Sequence, residues 1–148
     1  MRIRLLRMGS LLLMVSVGNA AIPASLEGES PGAVATRLFA AFNRHDLEAM
    51  TRLYDEHSEL RSPDFCAPRQ GPEGVRKTYS ELFRAFPDIS DEIVTTVASG
   101  HRVAVQFVAH SKGLGSRHEL KLATFLTVRR GLILRDETYF DTQGQPCT

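Results

Sequence analysis

Neither sign of charge dominates this chain. Its 148 residues carry 18 lysines and arginines against 17 aspartates and glutamates, a formal net charge of +1. Such a balance supplies no field for nucleic acid, and it points to neither acidic nor membrane-surface partners. Cysteine is scarce too: Cys66 and Cys147 are the only two, so the chain can form at most one internal bridge. No HExxH occurs, and His45, His57, His101, His110 and His118 are not spaced as metal ligands, so neither a metal nor a cofactor is expected. The glycine-containing "KGLGSR" fits neither a nucleophile elbow nor a phosphate loop and reads as a hairpin loop. Repeats and low-complexity tracts are missing. No apolar stretch reaches the ~20 residues that a membrane span requires.

What is present begins with an N-terminal pattern. Arg2, Arg4 and Arg7 precede the apolar "LLLMVSV", and Gly18 and Ala20 offer small residues at a cleavage point. This is the layout of a secretory signal peptide over residues 1–20, with an uncleaved N-terminal anchor as the alternative. Export leaves no stable membrane span in the mature chain, which would start near Ala21 and be periplasmic or secreted. An oxidising compartment permits a Cys66–Cys147 disulfide, and two unpaired thiols are the other outcome. Residues 21–32 read as a linker, and residues 33–148 as one domain, whose 43% hydrophobic content is enough for an ordinary core.

Within that domain the hydrophobic period changes once. Ser30 and Pro31 start a helix with Val34, Leu38 and Phe42 on one face. Asp46 caps a second helix with Leu47, Met50 and Tyr54 inward. Gly71 and Pro72 open a third, with Val75, Tyr79, Leu82, Phe83 and Phe86 on one stripe, and Pro87 closes it. A short strand and a Pro-rich loop lie between the second and third helices. From "DEIVTTVASG" onward the period is two, which predicts strands over 93–98, 103–110, 120–128 and 132–140. Helices first and a strand meander afterwards indicate an α+β domain: N-terminal helices on a strongly bent antiparallel sheet that encloses a cone-shaped pocket.

The last strand, "LILRDETYF", singles out one residue. Its even positions are Leu132, Leu134, Asp136, Thr138 and Phe140, an apolar face interrupted by one carboxylate with a threonine beside it. Its odd positions, from Ile133 to Asp141, look partly solvated. A three-residue Arg129-Arg130-Gly131 loop would place Val128 opposite Leu132, Thr124 opposite Asp136 and Leu122 opposite Thr138. Asp136 therefore points inward. Burial without a cation would raise its pKa toward neutrality, which suits a general base or acid. A carboxylate satisfied structurally by Thr124, Thr138, Tyr54 or Tyr79 is the alternative.

The segments "FNRHDLEAMTRLYDEHSEL", "GPEGVRKTYSELFRAFPD", "GHRVAVQFVAHSKG" and "RRGLILRDETYFD", in this order and spacing, resemble the nuclear-transport-factor-2-like superfamily. SnoaL-like domains and the related ketosteroid isomerases are the nearest in kind, and the resemblance runs from about Val34 to Asp141. It implies a cofactor-free site. By spacing, the isomerase tyrosine and two aspartates would fall on Leu38, Ser62 and Thr124, none of which can perform their roles. Tyr54 and Tyr79 match supporting tyrosines of that pocket. The resemblance to SnoaL-like cyclases implies an aspartate base late in the domain, matched by Asp136 with Asp141 as rival. Ser62, Phe83, Phe107, Thr124, Thr138 and Phe140 complete the expected pocket.

Three functions follow as expectations. The first is cofactor-free proton transfer, cyclase- or isomerase-like, on a hydrophobic carbonyl compound. The second is a non-catalytic binder of small hydrophobic molecules. The third is a module whose pocket is filled by its own side chains and whose sheet forms a homodimer.

Overall fold

The computed structural model describes residues 28–147, so the expected signal peptide and most of the expected linker lie outside the described residues. Helix α1 spans Pro31–Phe42 and α2 Leu47–Thr51, followed by strands β1 (Tyr54–Arg61) and β2 (Arg69–Gln70). Helix α3 spans Gly71–Ala85, and β3 (Ser90–Ser99), β4 (Arg102–His110), β5 (Glu119–Arg129) and β6 (Leu132–Tyr139) complete the chain. The caps behave as their chemistry dictates. Ser30 Oγ accepts from the Ala33 N–H and Asp46 Oδ1 from the Ala49 N–H, each satisfying a helix-end donor. Gly71 starts α3 at φ 63°, and a Cβ there would sit 2.8 Å from the Glu56 carbonyl oxygen. Glycine is what lets α3 approach β1 that closely.

The six strands form one sheet in the order β2-β1-β6-β5-β4-β3. It is mixed rather than wholly antiparallel, because β1 runs parallel to β6. In sequence, β2, α3 and then β3–β5 lie between these two strands, and they bring the chain back along the same direction. Buried Val34, Leu38 and Phe42 of α1 pack with Met50, Leu60, Val103, Val105 and Leu126 into one core.

Three local expectations are corrected. Tyr54 is not on α2, which ends at Thr51; it is the first residue of β1. The last hairpin has a two-residue turn, Arg130-Gly131, both at positive φ, with Arg129 paired to Leu132. Primed turns of this kind match the twist of the flanking strands. The pairing then slips by one residue: Val128 faces Ile133 but Thr127 faces Arg135, leaving Leu134 as a bulge. Leu126 thus lies opposite Asp136 and Thr124 opposite Thr138, two residues from the expected register. The bulge also turns Ile133 inward, where it is fully buried, although its odd position suggested solvent. Asp136 still points inward.

On the outer face of the sheet, Val97, Ala104 and Phe125 form one cross-strand row. Val97 is 61% and Phe125 47% exposed, and the Phe125 ring meets Tyr139 edge-on at 5.9 Å.

Candidate functional site

Between α1, α3 and the inner face of the sheet lies a cavity of about 510 Å³. The α3 stripe explains why it stays open. Val75 packs into the core, but Tyr79, Leu82 and Phe86 are only partly buried and line the cavity instead. Across from them stand Phe107 and Ala109 of β4, Leu120, Leu122 and Thr124 of β5, and Asp136, Thr138 and Phe140 at the end of the chain.

Asp136 sits in the wall between two buried leucines, Leu60 on the parallel side and Leu126 on the antiparallel side. It is 2% exposed. Its oxygens are held from two directions. Tyr54 donates its hydroxyl to Oδ2 at 2.7 Å, while Thr124 donates to Oδ1 at 2.6 Å and Thr138 to Oδ1 at 3.4 Å. Both threonines line the cavity and Tyr54 does not, so Tyr54 braces the carboxylate without itself lining the space. An irregularity in the β1–β6 pairing between Tyr54 and Glu59 makes this reach possible. Burial pushes the Asp136 carboxyl above its usual range, against the opposing pull of the hydroxyl donors. Burial likewise drives the Tyr54 and Tyr79 phenols well above theirs, with the negative charge of Asp136 adding to it. Both stay protonated donors at any ordinary pH.

The other expected pocket residues divide. Tyr79, Ser62, Phe107, Thr124, Thr138 and Phe140 are on the wall. Leu38, which stands where the isomerases place a tyrosine, is there too. Phe83 is not: its ring stacks on His45 at 4.0 Å and meets Phe42 at 5.2 Å. Stacking on His45 satisfies the ring away from the cavity, and this tertiary contact is absent from the helical stripe pattern. Ser62 is spent locally, donating to Asp64 beside it. Asp141 lies beyond β6, exposed, and accepts from the Gln143 N–H at 2.8 Å. It is not among the lining residues. Cys66 and Cys147 are bonded to one another, with their Cα atoms 5.0 Å apart.

Several wall residues escaped the sequence reading. Arg69 and Phe65 lie on it, the guanidinium 4.9 Å above the ring centroid. Asp91 also lies on it. Its position in "FPDISDEIV", four residues past Pro87, was the available signal, but strand alternation there is masked by a bulge between Ile93 and Thr95. Among the described residues no group of His, Cys, Asp and Glu is arranged to hold a metal, and no helix is long and apolar enough to cross a membrane.

Helices closing a bent six-stranded sheet over an apolar cavity with one hydroxyl-braced aspartate define a cone-shaped α+β domain of the nuclear-transport-factor-2-like kind. Within it, the chain belongs to the SnoaL-like domain family, whose sequence profile matches residues 35–136. Solved structures carry the same fold. IdmH from Streptomyces antibioticus, a proposed polyketide cyclase, is 24% identical, with 78% of this chain and 94% of that one covered at a TM-score of 0.67. TerC co-crystallised with polyporic acid is 19% identical over 74% of this chain and 90% of its own, at 0.65. A protein of ketosteroid isomerase-like fold from Catenulispora acidiphila, in complex with trimethylamine, is 20% identical over 77% and 88%, at 0.67. No curated protein matches the sequence.

Proposed function

We propose that this chain is exported, that its cavity takes a small hydrophobic carbonyl compound, and that Asp136 moves a proton on that compound without a cofactor. The observation that carries the reading is the Asp136 carboxylate, on the cavity wall, held by Tyr54 and Thr124 and pushed above its usual range by burial. As a base it takes a proton from the carbon beside the carbonyl, and the bonding pair moves onto the carbonyl oxygen. Tyr79, a phenol on the wall that stays protonated, is the donor for that oxygen. The proton then returns from Asp136 to the rearranged or cyclised product, so that nothing is consumed. Bracing by Tyr54 keeps the carboxylate oriented without entering the cavity.

An open space of about 510 Å³ speaks against a pocket filled by its own side chains. The binder without turnover shares the same cavity. Native mass spectrometry of mature protein purified from its own host is expected to show a retained small apolar molecule; consistently empty protein would count against both pocket readings.

Export is supported by Arg2, Arg4 and Arg7 ahead of the apolar segment and by the bonded cysteines, since such bridges persist in oxidising compartments. N-terminal sequencing of the periplasmic or secreted protein should begin close to Ala21. Recovery of intact Met1 in a soluble cytosolic fraction would overturn this part of the reading.

A homodimer across the outer sheet face belongs to the same proposal. Its support is the apolar row Val97, Ala104 and Phe125, continued by Tyr139, which loses water on self-association. Sedimentation should give a dimer that Phe125→Lys converts to a folded monomer. A wild-type monomer at all concentrations would remove the dimer and leave the pocket reading intact.

A further inference from the structure

One inward carboxylate has no part in the proton-transfer scheme. Asp91 is the second residue of β3 and pairs with Ala109, two residues from Phe107 on the same face of β4. Cross-strand partners share a face. Ala109 and Phe107 are buried inward residues of the cavity wall, and Asp91 joins them there. Its backbone is clamped by Asn43 at the end of α1, which accepts the Asp91 N–H at 2.7 Å and donates its amide to the Asp91 carbonyl at 2.8 Å. The side chain has nothing comparable. Its Oδ1 is buried and has no hydrogen-bond partner among the described residues.

Such an atom costs the fold the desolvation of an unpaired acceptor. Nothing structural requires a carboxylate here, since the backbone bonds to Asn43 would form with any residue at this position. Burial pushes its pKa up to about 7, with no neighbouring charge acting on it. The cation on the cavity wall, Arg69, lies over Phe65. The cavity wall thus carries a carboxyl whose backbone is held by Asn43 and whose side chain no protein donor holds, next to apolar walls that fit the body of a ligand.

We propose that Asp91 is a ligand-recognition residue whose carboxyl accepts a hydrogen bond from a hydroxyl or protonated amine on the bound molecule, at a point separate from Asp136. This rests on the reading of the cavity as a ligand pocket. A ligand donor supplies the partner that the fold withholds, and an ammonium adds Coulomb attraction in a space of low dielectric. An anionic ligand meets four acidic side chains on the wall, Asp64, Glu81, Asp91 and Asp136, against the guanidinium of Arg69, and is disfavoured. The pocket is therefore selective for neutral hydroxylated or basic apolar compounds over acids.

The test uses the mature, disulfide-bonded protein and four biphenyls that differ in one para substituent: aminomethyl, hydroxymethyl, methyl and carboxylate. Titration calorimetry at neutral pH is expected to rank the amine and the alcohol ~10-fold or more above the methyl compound, with the carboxylate weakest. Asp91→Leu should erase the preference for the two donors and leave the methyl compound's affinity unchanged. Asp91→Asn, which keeps a carbonyl acceptor, should retain the preference for the alcohol and lose the advantage of the amine; it carries the test if the leucine variant does not fold. Equal binding of donor and methyl compounds by the wild type overturns the inference, as does an undiminished preference in Asp91→Leu. Binding of the methyl compound in either case leaves the pocket reading standing. If none of the four binds, the pocket reading falls and takes this inference with it.

Discussion

Asp136→Asn is expected to lower turnover of a cognate carbonyl substrate by ~100-fold or more, the usual scale for a general base, while ligand affinity changes far less. The substitution keeps the side chain's shape and a carbonyl acceptor for Thr124 or Tyr54, and it removes the group that takes the proton. It also replaces one oxygen, which accepted a hydroxyl, with an NH₂, so one of those two donors loses its acceptor. Some loss of stability accompanies the loss of activity for that reason, and activity per folded molecule is the quantity to compare. The pH profile carries the sign of the mechanism. A base works ionised, so turnover should rise with pH through a midpoint above the ordinary aspartate value, in the direction that burial moves Asp136. In Asp136→Asn that limb should vanish. Asp141→Asn is the control, because Asp141 is exposed and serves only the Gln143 N–H. Loss of activity in Asp141→Asn with an intact Asp136→Asn would refute the site. A ligand that binds both proteins and is never converted would leave the non-catalytic binder in possession of the pocket.

Opening the Cys66–Cys147 bridge should destabilise the protein by about 2–4 kcal/mol, a large share of the 5–15 kcal/mol that holds an ordinary domain folded. The cysteines are 81 residues apart in sequence, and closing a loop of that size removes much freedom from the unfolded chain. The effect extends to the cavity. Cys66 follows Asp64 and Phe65, and Cys147 ends the tail that begins at Phe140, all three being wall residues. Reduction, or Cys147→Ser, frees both segments from each other. Urea unfolding of oxidised and reduced protein measures the stability difference, and ligand titration on the still-folded reduced protein measures the change at the cavity. Thiol counting on denatured, unreduced protein comes first: two free thiols would exclude the bridge.

Much of the molecule was legible in residue order. Ser30-Pro31 and Asp46 mark helix starts because capping is a contact over three residues, and Pro87 ends α3 because the ring forbids what would follow. The inward direction of Asp136 was legible as well, since leucines, threonine and phenylalanine at alternate positions leave a strand few choices. The cone-shaped α+β class followed from helices placed before a meander. Local sterics and period encode all of this, and they act between residues close in the chain.

The rest depended on pairing between distant residues. A bulge at Leu134 shifts the register, so that Leu126 rather than Thr124 opposes Asp136 and Ile133 turns inward; periodicity counts residues and cannot register one that drops out of the ladder. Tyr54 meets Asp136 across 82 positions only because β1 lies parallel to β6 and bends there. Phe83 left the cavity for His45, a contact between α3 and the turn that joins α1 to α2. Asp91 became a wall residue when β3 paired with β4 and Asn43 clamped it to α1. Whether a buried oxygen finds a donor is set by which strands and helices converge on it, and that convergence is a property of the folded chain.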